Sequence, residues 1–499
     1  MLYAQSGKVS NLNPWKGDVS TARALAGVYE NLIRMDHREA FDFRVDRELK
    51  PGLAESWEIA DPTTFVFHLR RNIKWHDGKP LTADDVVYSM RSWTEADKAP
   101  EPRRSAGGQI ATAEAIDPYT VRVTTKAISA YFLETLAYQR NVYILPKHVE
   151  DVAKNPVGSG AFKVVKQDPD AAVVVERNPD FYIPGRPYLD GGKVHNTMPI
   201  ATQQAAFAGK AIDFITYSDK AQADAFQKQV PQVKVSSYCQ DHGESVIMKL
   251  DKPPFSDIRV RRAIHLAIDR QGLIATTSFG AGKINPPGAI GWQPFAIQED
   301  ELLKLPGWRQ PKTEDIAEAK RLLAEAGYAT GLKMPMQFNR DRADKQVIPE
   351  ALVPMLRGVG IDAEVQLLER GVAIVNERDG LFDVRVGSFH SDPPTSALTS
   401  YYHSKGVANT MGLRDPELDK LIEDSDKSLD QKARYAMYDK IQRIILDKLY
   451  TIPTLEFRSF FFVQPWLNNN GPTMGAQSYV PQWDNVWIDT DKAPQRTLQ

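Results

Sequence analysis

Residues 54–93, AESWEIADPTTFVFHLRRNIKWHDGKPLTADDVVYSMRSW, constrain the fold more than any other stretch of this chain. From Thr64 to Arg70 the side chains alternate. Phe65, Phe67 and Leu69 fall on one side and Val66 and His68 on the other, the period of a half-buried strand. Asp61-Pro62 ahead of it is turn chemistry. Lys74-Trp75-His76-Asp77-Gly78 reads as a second short strand ending in an Asp-Gly turn. Thr82 and Asp85 predict a capped helix start, with Thr82 as N-cap and Asp85 in the first turn. The helix that follows puts Val86, Val87, Met90 and Trp93 on one face and Tyr88 beside it. A generic strand, turn and helix explains each piece but not their order.

Composition narrows the function classes. A chain of 499 residues has room for two to four domains at roughly 100–200 residues each. Lys and Arg total 62 against 64 Asp and Glu, a net charge of -2, so nothing calls for nucleic acid or an anionic membrane as partner. No apolar run approaches the roughly 18 residues of a membrane span. The single cysteine, Cys239, cannot form an internal disulfide, which suits either redox compartment in a chain this large. Met1–Ser6 shows neither a charged n-region nor an apolar h-region. Taken alone, that start reads as cytoplasmic.

Further phrases follow in order. Leu2–Gln5 reads as a strand, and Pro14 holds Asn13 extended in the loop after it. Leu25, Val28, Tyr29 and Leu32 predict a helix over residues 20–33. Thr120–Thr125 alternates as a strand. Pro146-Lys147-His148 is a short phrase in which His148 has no partner at useful spacing. Gly158-Ser159-Gly160 is a glycine-rich turn into a strand. It is no phosphate loop, because it lacks a third glycine and a following Lys-Ser/Thr. Thr202 is expected to cap a short helix ending at Gly209, with a strand at 212–214. Val260, Ala263, Ile264, Ala267 and Ile268 form one apolar helix face, which leaves His265 on a polar, solvated flank. Thr313–Gly327 is a further helix, with Ile316, Ala319, Leu323 and Ala326 inward and Gly327 as its stop. Asp415-Pro416 starts a helix with aspartate as N-cap and proline at N1, running to 424. Another spans 430–449. A Gly/Pro turn over 469–475 closes the series.

In this order the phrases resemble the family 5 extracellular solute-binding proteins, the oligopeptide, dipeptide and nickel class of ABC-importer receptors. The family pattern of Ala-x-Ser-Trp, a strand ending in Leu-Arg, Trp-His-Asp-Gly and Thr-Ala-x-Asp-Val is present from Ala54 to Val86. The phrase FSDIRVRRAIHLAIDR at 255–270 is also similar to the family's, and the likeness runs from about residue 2 to 465. The resemblance implies an α/β fold: the two-lobed periplasmic-binding-protein fold (class II-like) with an extra inserted domain. The first lobe would comprise 1–37, 158–250 and 470–499, the insertion 38–157, and the second lobe 251–469. It also implies export, so that Met1 stands where a leader has been removed. The protein would be a periplasmic or extracytoplasmic monomer that closes by a hinge on a peptide or other small polar solute. It would deliver that solute to the membrane subunits of an ABC permease. No cofactor is implied.

No catalytic motif stands out: there is no nucleophile elbow, HExxH, CxxC or Walker A, so the chain reads as a non-enzyme without a metal site. His390-Ser391-Asp392 and Tyr401-Tyr402-His403 are the only clusters with a hint of ligand spacing. Other candidates for ligand contact are implied by the resemblance. The loop carrying Asn13 and Trp15 faces the cleft in the family. In peptide-binding relatives a strand like 382–389 pairs with the peptide main chain and leads into a Gly-Trp-x-x-Asp phrase whose aspartate holds the peptide ammonium. Here Gly387 matches the glycine, Ser388 replaces the tryptophan, Ser391 falls on the aspartate and Asp392 lies one residue later. Arg340 and Arg342 are candidates for a ligand carboxylate, and Phe389, Tyr401 and Tyr402 for stacking. Because Ser391 cannot neutralise an ammonium, opines, amino-acid conjugates and oligosaccharides stay open beside peptides. A hydrolase on the same solutes is a further alternative, as is a signalling receptor without a transporter.

Overall fold

The computed structural model describes residues 1–494 except 6–8, 10, 17–18, 36–47, 95–105, 139–141, 169, 218, 240–242, 289–294, 343–344, 390–396 and 470–482. The strands that build the main sheets are β1 (Leu2–Ala4), β2 (Ala54–Asp61), β3 (Thr64–Leu69), β4 (Ile110–Asp117), β5 (Thr120–Thr125), β6 (Phe162–Asp168), β7 (Ala172–Arg177), β8 (Gly191–His195), β9 (Phe214–Tyr217), β10 (Lys234–Cys239), β11 (Glu244–Met248), β12 (Leu332–Asn339), β13 (Ile361–Leu368), β14 (Val384–Ser388), β15 (Thr451–Pro453) and β16 (Arg458–Val463). The helices that matter below are α1 (Val19–Ala24), α2 (Ala83–Thr94), α3 (Ile200–Ala208), α4 (Ile258–Ala267), α5 (Arg270–Thr277), α6 (Thr313–Glu325), α7 (Val347–Arg357), α8 (Arg370–Asp379), α9 (Pro416–Lys427) and α10 (Gln431–Lys448). The chain forms two compact units. One holds Met1–Tyr217, Gln222–Tyr238 and Phe460–Gln499, and the other Ser218–Ala221 and Cys239–Ser459.

The first unit carries a seven-stranded sheet in the order β10-β16-β9-β1-β8-β7-β6 and a four-stranded antiparallel sheet in the order β2-β3-β5-β4. The alternation at 64–69 is realised: Phe65, Phe67 and Leu69 are buried beneath α2, whose Val86, Met90 and Trp93 are also buried. Asp85 closes the helix start by accepting from the Thr82 backbone N–H at 3.0 Å. The expected strand at 74–78 is only a bridge between Lys74 and Pro80, because the turn through Gly78 (φ +88°) reverses the chain at once.

The expected helix over 20–33 stops at Ala24. Leu25, Val28, Tyr29 and Leu32 are buried as their spacing predicts, but on turns. Gly27 takes φ +74°, a conformation in which glycine carries no side-chain penalty. The turn presents the Gly27 and Val28 carbonyls to the N–H groups of Phe162 and Gly160, both at 2.9 Å. A Cβ on Gly158 or Gly160 would lie 1.9 or 2.2 Å from those carbonyl oxygens, so the glycines serve close backbone approach.

His76 clamps the same turn. Its backbone N–H donates to the Gly158 carbonyl at 2.8 Å. Nδ1 accepts from the Gly158 N–H at 3.1 Å, and Nε2 lies 3.0 Å from the Gly160 carbonyl. These partners require the neutral Nε2–H tautomer. Burial, with Lys163 adding to it, lowers the ring to about 4. His148 also has the partner that its spacing hides, because Asp77 accepts from Nε2 at 2.7 Å.

The second unit carries a five-stranded sheet in the order β13-β12-β14-β11-β15. Val246, Met248, Met334, Met336, Val384 and Val386 join α4, α6 and α7 in one core, while Ile247, Phe382 and Phe389 join α9 and α10 in another. The apolar face read at 260–268 is buried, but the helix breaks at Ile268, and Asp269 caps α5 by accepting from the Gly272 N–H. Asp415 and Asp430 cap α9 and α10. α9 runs three residues past the expected end, to Lys427. Two further expectations fail, one in each unit. Pro199, not Thr202, precedes α3. His265 is buried rather than solvated, with Nε2 3.1 Å from the Pro306 carbonyl and Nδ1 accepting from Arg270 at 3.1 Å. The 306–308 loop packs over its flank, and Gly307 leaves the room a Cβ would take, 2.1 Å from Nε2.

The clamp predicts an acid-side loss of stability. A histidine held below its unfolded value of 6.5 favours the fold above that pH. The contribution drains as pH falls from 6.5 towards 4. The full swing is about 2 kcal/mol, discounted because part of the ring meets solvent. Urea denaturation between pH 7.5 and 4.5 should show this slope, and His76→Ala should flatten it while losing about 2 kcal/mol at pH 7.5. An unchanged slope in the variant would contradict the clamp.

Candidate functional site

The sequence-predicted contacts divide between the units. Asn13 and Trp15 lie in the first, in a run of side-chain turns. Asn11 accepts from the Asn13 N–H at 2.8 Å, and Asn13 accepts from the Trp15 N–H at 2.9 Å. These turns drive Trp15 inward, where its indole donates to the Tyr143 carbonyl at 2.9 Å. Asn13 stays half-buried.

Of the others, Arg342, Gly387, Phe389 and Tyr401 lie at one end of the second unit's sheet. β14 is a central strand, antiparallel to β11 along its full length from Val384↔Met248 to Ser388↔Glu244. Its parallel register with β12 is shorter and ends at Gln337↔Arg385. From Val386 onward β14 has a strand partner on one side only among the described residues. The chain leaving β12 turns away through Arg342, whose N–H donates to the Asn339 carbonyl at 3.1 Å.

Arg342 and Lys345 turn towards Glu244, the first residue of β11. Arg342 Nη1 donates to Oε2 at 3.2 Å, Nη2 donates to Oε1, and Lys345 Nζ donates to Oε1 at 3.2 Å. Glu244 is 1% exposed. Burial alone would raise its carboxyl, but Lys345 and Arg342 outweigh that and hold it at about 2. Arg340 points elsewhere, to an exposed ion pair with Glu369. Such a pair adds little stability.

Arg385 enters the same end from within β14. Nη2 pairs with Glu377 of α8 at 2.8 Å, and the guanidinium lies 5.6 and 5.7 Å from the ring centres of Phe382 and Phe389. Burial lowers its pKa against the opposing pull of Glu377. Gly387 now has a physical reason: a Cβ there would lie 2.6 Å from Arg385 Nη1 and 3.9 Å from Arg342 Nη1. The Phe389 ring is 4.3 Å from that of Tyr401. Tyr402 is fully buried, and its hydroxyl is 2.8 Å from Thr451 Oγ1, which makes it part of the packing beneath. His390, Ser391 and Asp392 lie outside the described residues, as does most of the 469–475 turn. His403 Nε2 pairs with Glu423 at 3.2 Å, and no metal-holding group of three His, Cys, Asp or Glu occurs among the described residues.

Sequence reasoning passed over Glu244, Lys345 and Arg385. The signal for Arg385 was a charge set between Val384 and Val386 in a strand bounded by apolar residues. The chain offered no comparable signal for Glu244, whose partners come 98 and 101 residues later.

Residues 48–409 match the family described as bacterial extracellular solute-binding proteins, family 5. The chain is 28% identical to the periplasmic oligopeptide-binding protein OppA of Salmonella typhimurium, over 98% of this chain and 91% of that protein. It shares its fold with the OppA of Haemophilus influenzae solved with the peptide RPPGFSPFR, at a TM-score of 0.74, 23% identity and 98% coverage of both chains. It likewise shares the fold of AgaA of A. tumefaciens R10 solved with agropinic acid, at a TM-score of 0.74, 22% identity and 98% coverage of both.

The Glu244 cluster makes a direct prediction. Glu244→Gln removes the buried charge that pairs with two part-buried cations and should cost about 3 kcal/mol at pH 7. The carboxyl is held below its usual 4.5, so its contribution is present above that pH and drains as pH falls towards 2. The gap between wild type and variant in denaturant melts should therefore narrow between pH 5 and about 3. A gap that stays constant would mean that the carboxylate charge is not what stabilises the cluster.

Proposed function

Because the chain belongs to the family 5 bacterial extracellular solute-binding proteins, we propose that it is the extracytoplasmic receptor of an ABC importer. In this reading it works in the periplasm, captures a peptide or peptide-like polar solute, and passes it unchanged to the permease in the membrane. The names of the oligopeptide- and di/tripeptide-binding relatives support the ligand class. The observation that carries the reading is the side of β14 beyond Arg385 that has no strand partner among the described residues. There the main chain can add an extended ligand as a further strand, with backbone hydrogen bonds for affinity and side-chain space for selectivity. Arg342, Gly387, Phe389 and Tyr401 border that segment and are the contacts we assign, with Asn13 on the first unit. In this reading residues 38–157 are an accessory insertion, the two lobes correspond to the two compact units, so that 239–250 belongs to the second lobe and 460–469 to the first, and closure follows because ligand binds the closed form better.

A second reading keeps the receptor and changes the cargo to a non-peptide acid such as an opine. The shared fold with the agropinic acid complex supports it.

Mass spectrometry of the purified protein, native and then acid-denatured, separates these. Masses differing by amino-acid residues are expected for a peptide receptor, and one non-peptide mass for the second reading. Ligand at about 1,000 times its Kd should stabilise the protein by about 4 kcal/mol, and its mass should be unchanged after prolonged incubation. Appearance of hydrolysis products would overturn the receptor reading.

A further inference from the structure

The amphipathic pattern of α8 is inverted. A surface helix ordinarily turns its apolar stripe to the core and its polar residues to water. α7, which leads from β12 to β13, does so and buries Ile348, Leu352 and Leu356. α8, which leads from β13 to β14, buries no residue. Its half-buried face holds Ala373, Asn376 and Glu377, spaced i, i+3 and i+4. That face makes polar contacts. Asn376 Nδ2 donates to Gln337 Oε1 of β12 at 3.1 Å, and Glu377 pairs with Arg385 of β14 at 2.8 Å. The sheet it meets is polar as well, because Gln337 stands opposite Gln366 of β13 in the parallel register and so shares its face.

The aliphatic residues of α8 face water instead. Ile374 is 51% exposed, Val372 49% and Val375 39%. Leu367, near the end of β13, is 46% exposed, and Leu381, just past the helix, 58%. The Leu381 N–H donates to the Asn376 carbonyl at 2.8 Å, across Gly380 in the left-handed region. That bond fixes Leu381 at the helix end. Among the described residues nothing covers these side chains. Single exposed aliphatics are ordinary, but a group of them on one element marks a contact surface.

The size and charge of the face select its occupant. Five half-exposed aliphatic side chains offer about a few hundred Å². Each partner in a stable dimer commits roughly 800 Å². The face therefore suits a partner that docks and leaves rather than a second copy of this chain. Its charged rim is nearly self-neutralising. Glu369 pairs with Arg340, and Arg378 with Asp379. Arg370, exposed at the start of α8, has no ion pair among the described residues. One positive charge is left over.

We propose that the outward face of α8, with Ile374 and Val375 at its centre and Val372, Leu367 and Leu381 around them, is where the second unit docks on the extracytoplasmic side of an ABC permease. The complementary surface is apolar, with an acidic residue at its border to meet Arg370. The assignment rests on the receptor reading above and adds to it the surface that makes the contact.

The test titrates the protein, as purified, into its permease complex in lipid nanodiscs and follows ATP hydrolysis. Ile374→Glu and Val375→Glu should each raise the concentration for half-maximal stimulation about tenfold or more. Ile374→Val and Val375→Ile keep the face apolar and should stay within about twofold of wild type. Arg370→Glu should weaken stimulation at low salt and lose most of that effect at high salt, as a rim charge does. Substitutions at exposed positions spare the fold, and melting curves confirm it for each variant. Charged variants that stimulate like wild type overturn the docking face and leave the receptor reading standing. If wild type does not stimulate the permease, the receptor reading falls and the docking face with it. Variants that lose bound solute yet keep wild-type stimulation would mean that the face closes on another part of this chain, which overturns the proposal. A wild-type dimer in sedimentation that Ile374→Glu dissociates would give the face to a second copy and overturn it too.

Discussion

A buried carboxylate shapes one end of the second unit's sheet. Glu244 opens β11 where water is excluded, and a lone carboxylate there would cost several kcal/mol. The fold meets this by sending the chain after β12 towards Glu244, so that Arg342 and Lys345 arrive on its oxygens. The parallel register with β14 stops at Gln337↔Arg385, two residues before β12 ends at Asn339, while β14 continues to Ser388. The end of β14 beyond Arg385 therefore has a strand partner on one side only among the described residues. The edge lies where ligands commonly bind in α/β sheets, beside the carboxyl ends of parallel strands.

In the first unit one buried joint is held by neutral chemistry. The Gly27-Val28 carbonyls, the Gly158–Gly160 turn and the His76 ring form one hydrogen-bonded knot. It ties the Trp-His-Asp-Gly segment below the four-stranded sheet to the start of β6. Two glycines are needed because the backbones approach too closely for any Cβ. The histidine is needed because it offers an acceptor and a donor on opposite sides of one flat ring. The resemblance phrase and the glycine-rich turn, separate in the sequence, are thus halves of one joint.

Much of the local structure was legible. Period-two alternation located β3 and β5, and Asp415-Pro416 and Asp430 marked the starts of α9 and α10, because strands, caps and turns depend on residues a few positions apart. The misreadings share a cause. The spacing of Leu25, Val28, Tyr29 and Leu32 correctly reported burial, but Gly27 and its distant hydrogen-bond partners turned the segment away from a helix. His265 sat on a polar flank by helical spacing, until a loop some 40 residues later covered it. Of the residues expected at the site, Gly387, Phe389, Tyr401 and Arg342 come together at one end of the second unit's sheet. Arg340 and Tyr402 read equally well and are placed elsewhere, one on an exposed ion pair and one in the core.

By itself, then, the sequence determined the family, the order of the elements and the positions of their caps and turns, all of which rest on short-range patterns. Tertiary structure decided which polar groups lose water and which partner replaces it. His76 meets Gly158 across 82 residues, and Glu244 meets Arg342 across 98. Sequence spacing carries no information about such meetings. The strength of a charge or hydrogen bond depends on the dielectric around it, and that is set only once the whole unit has packed.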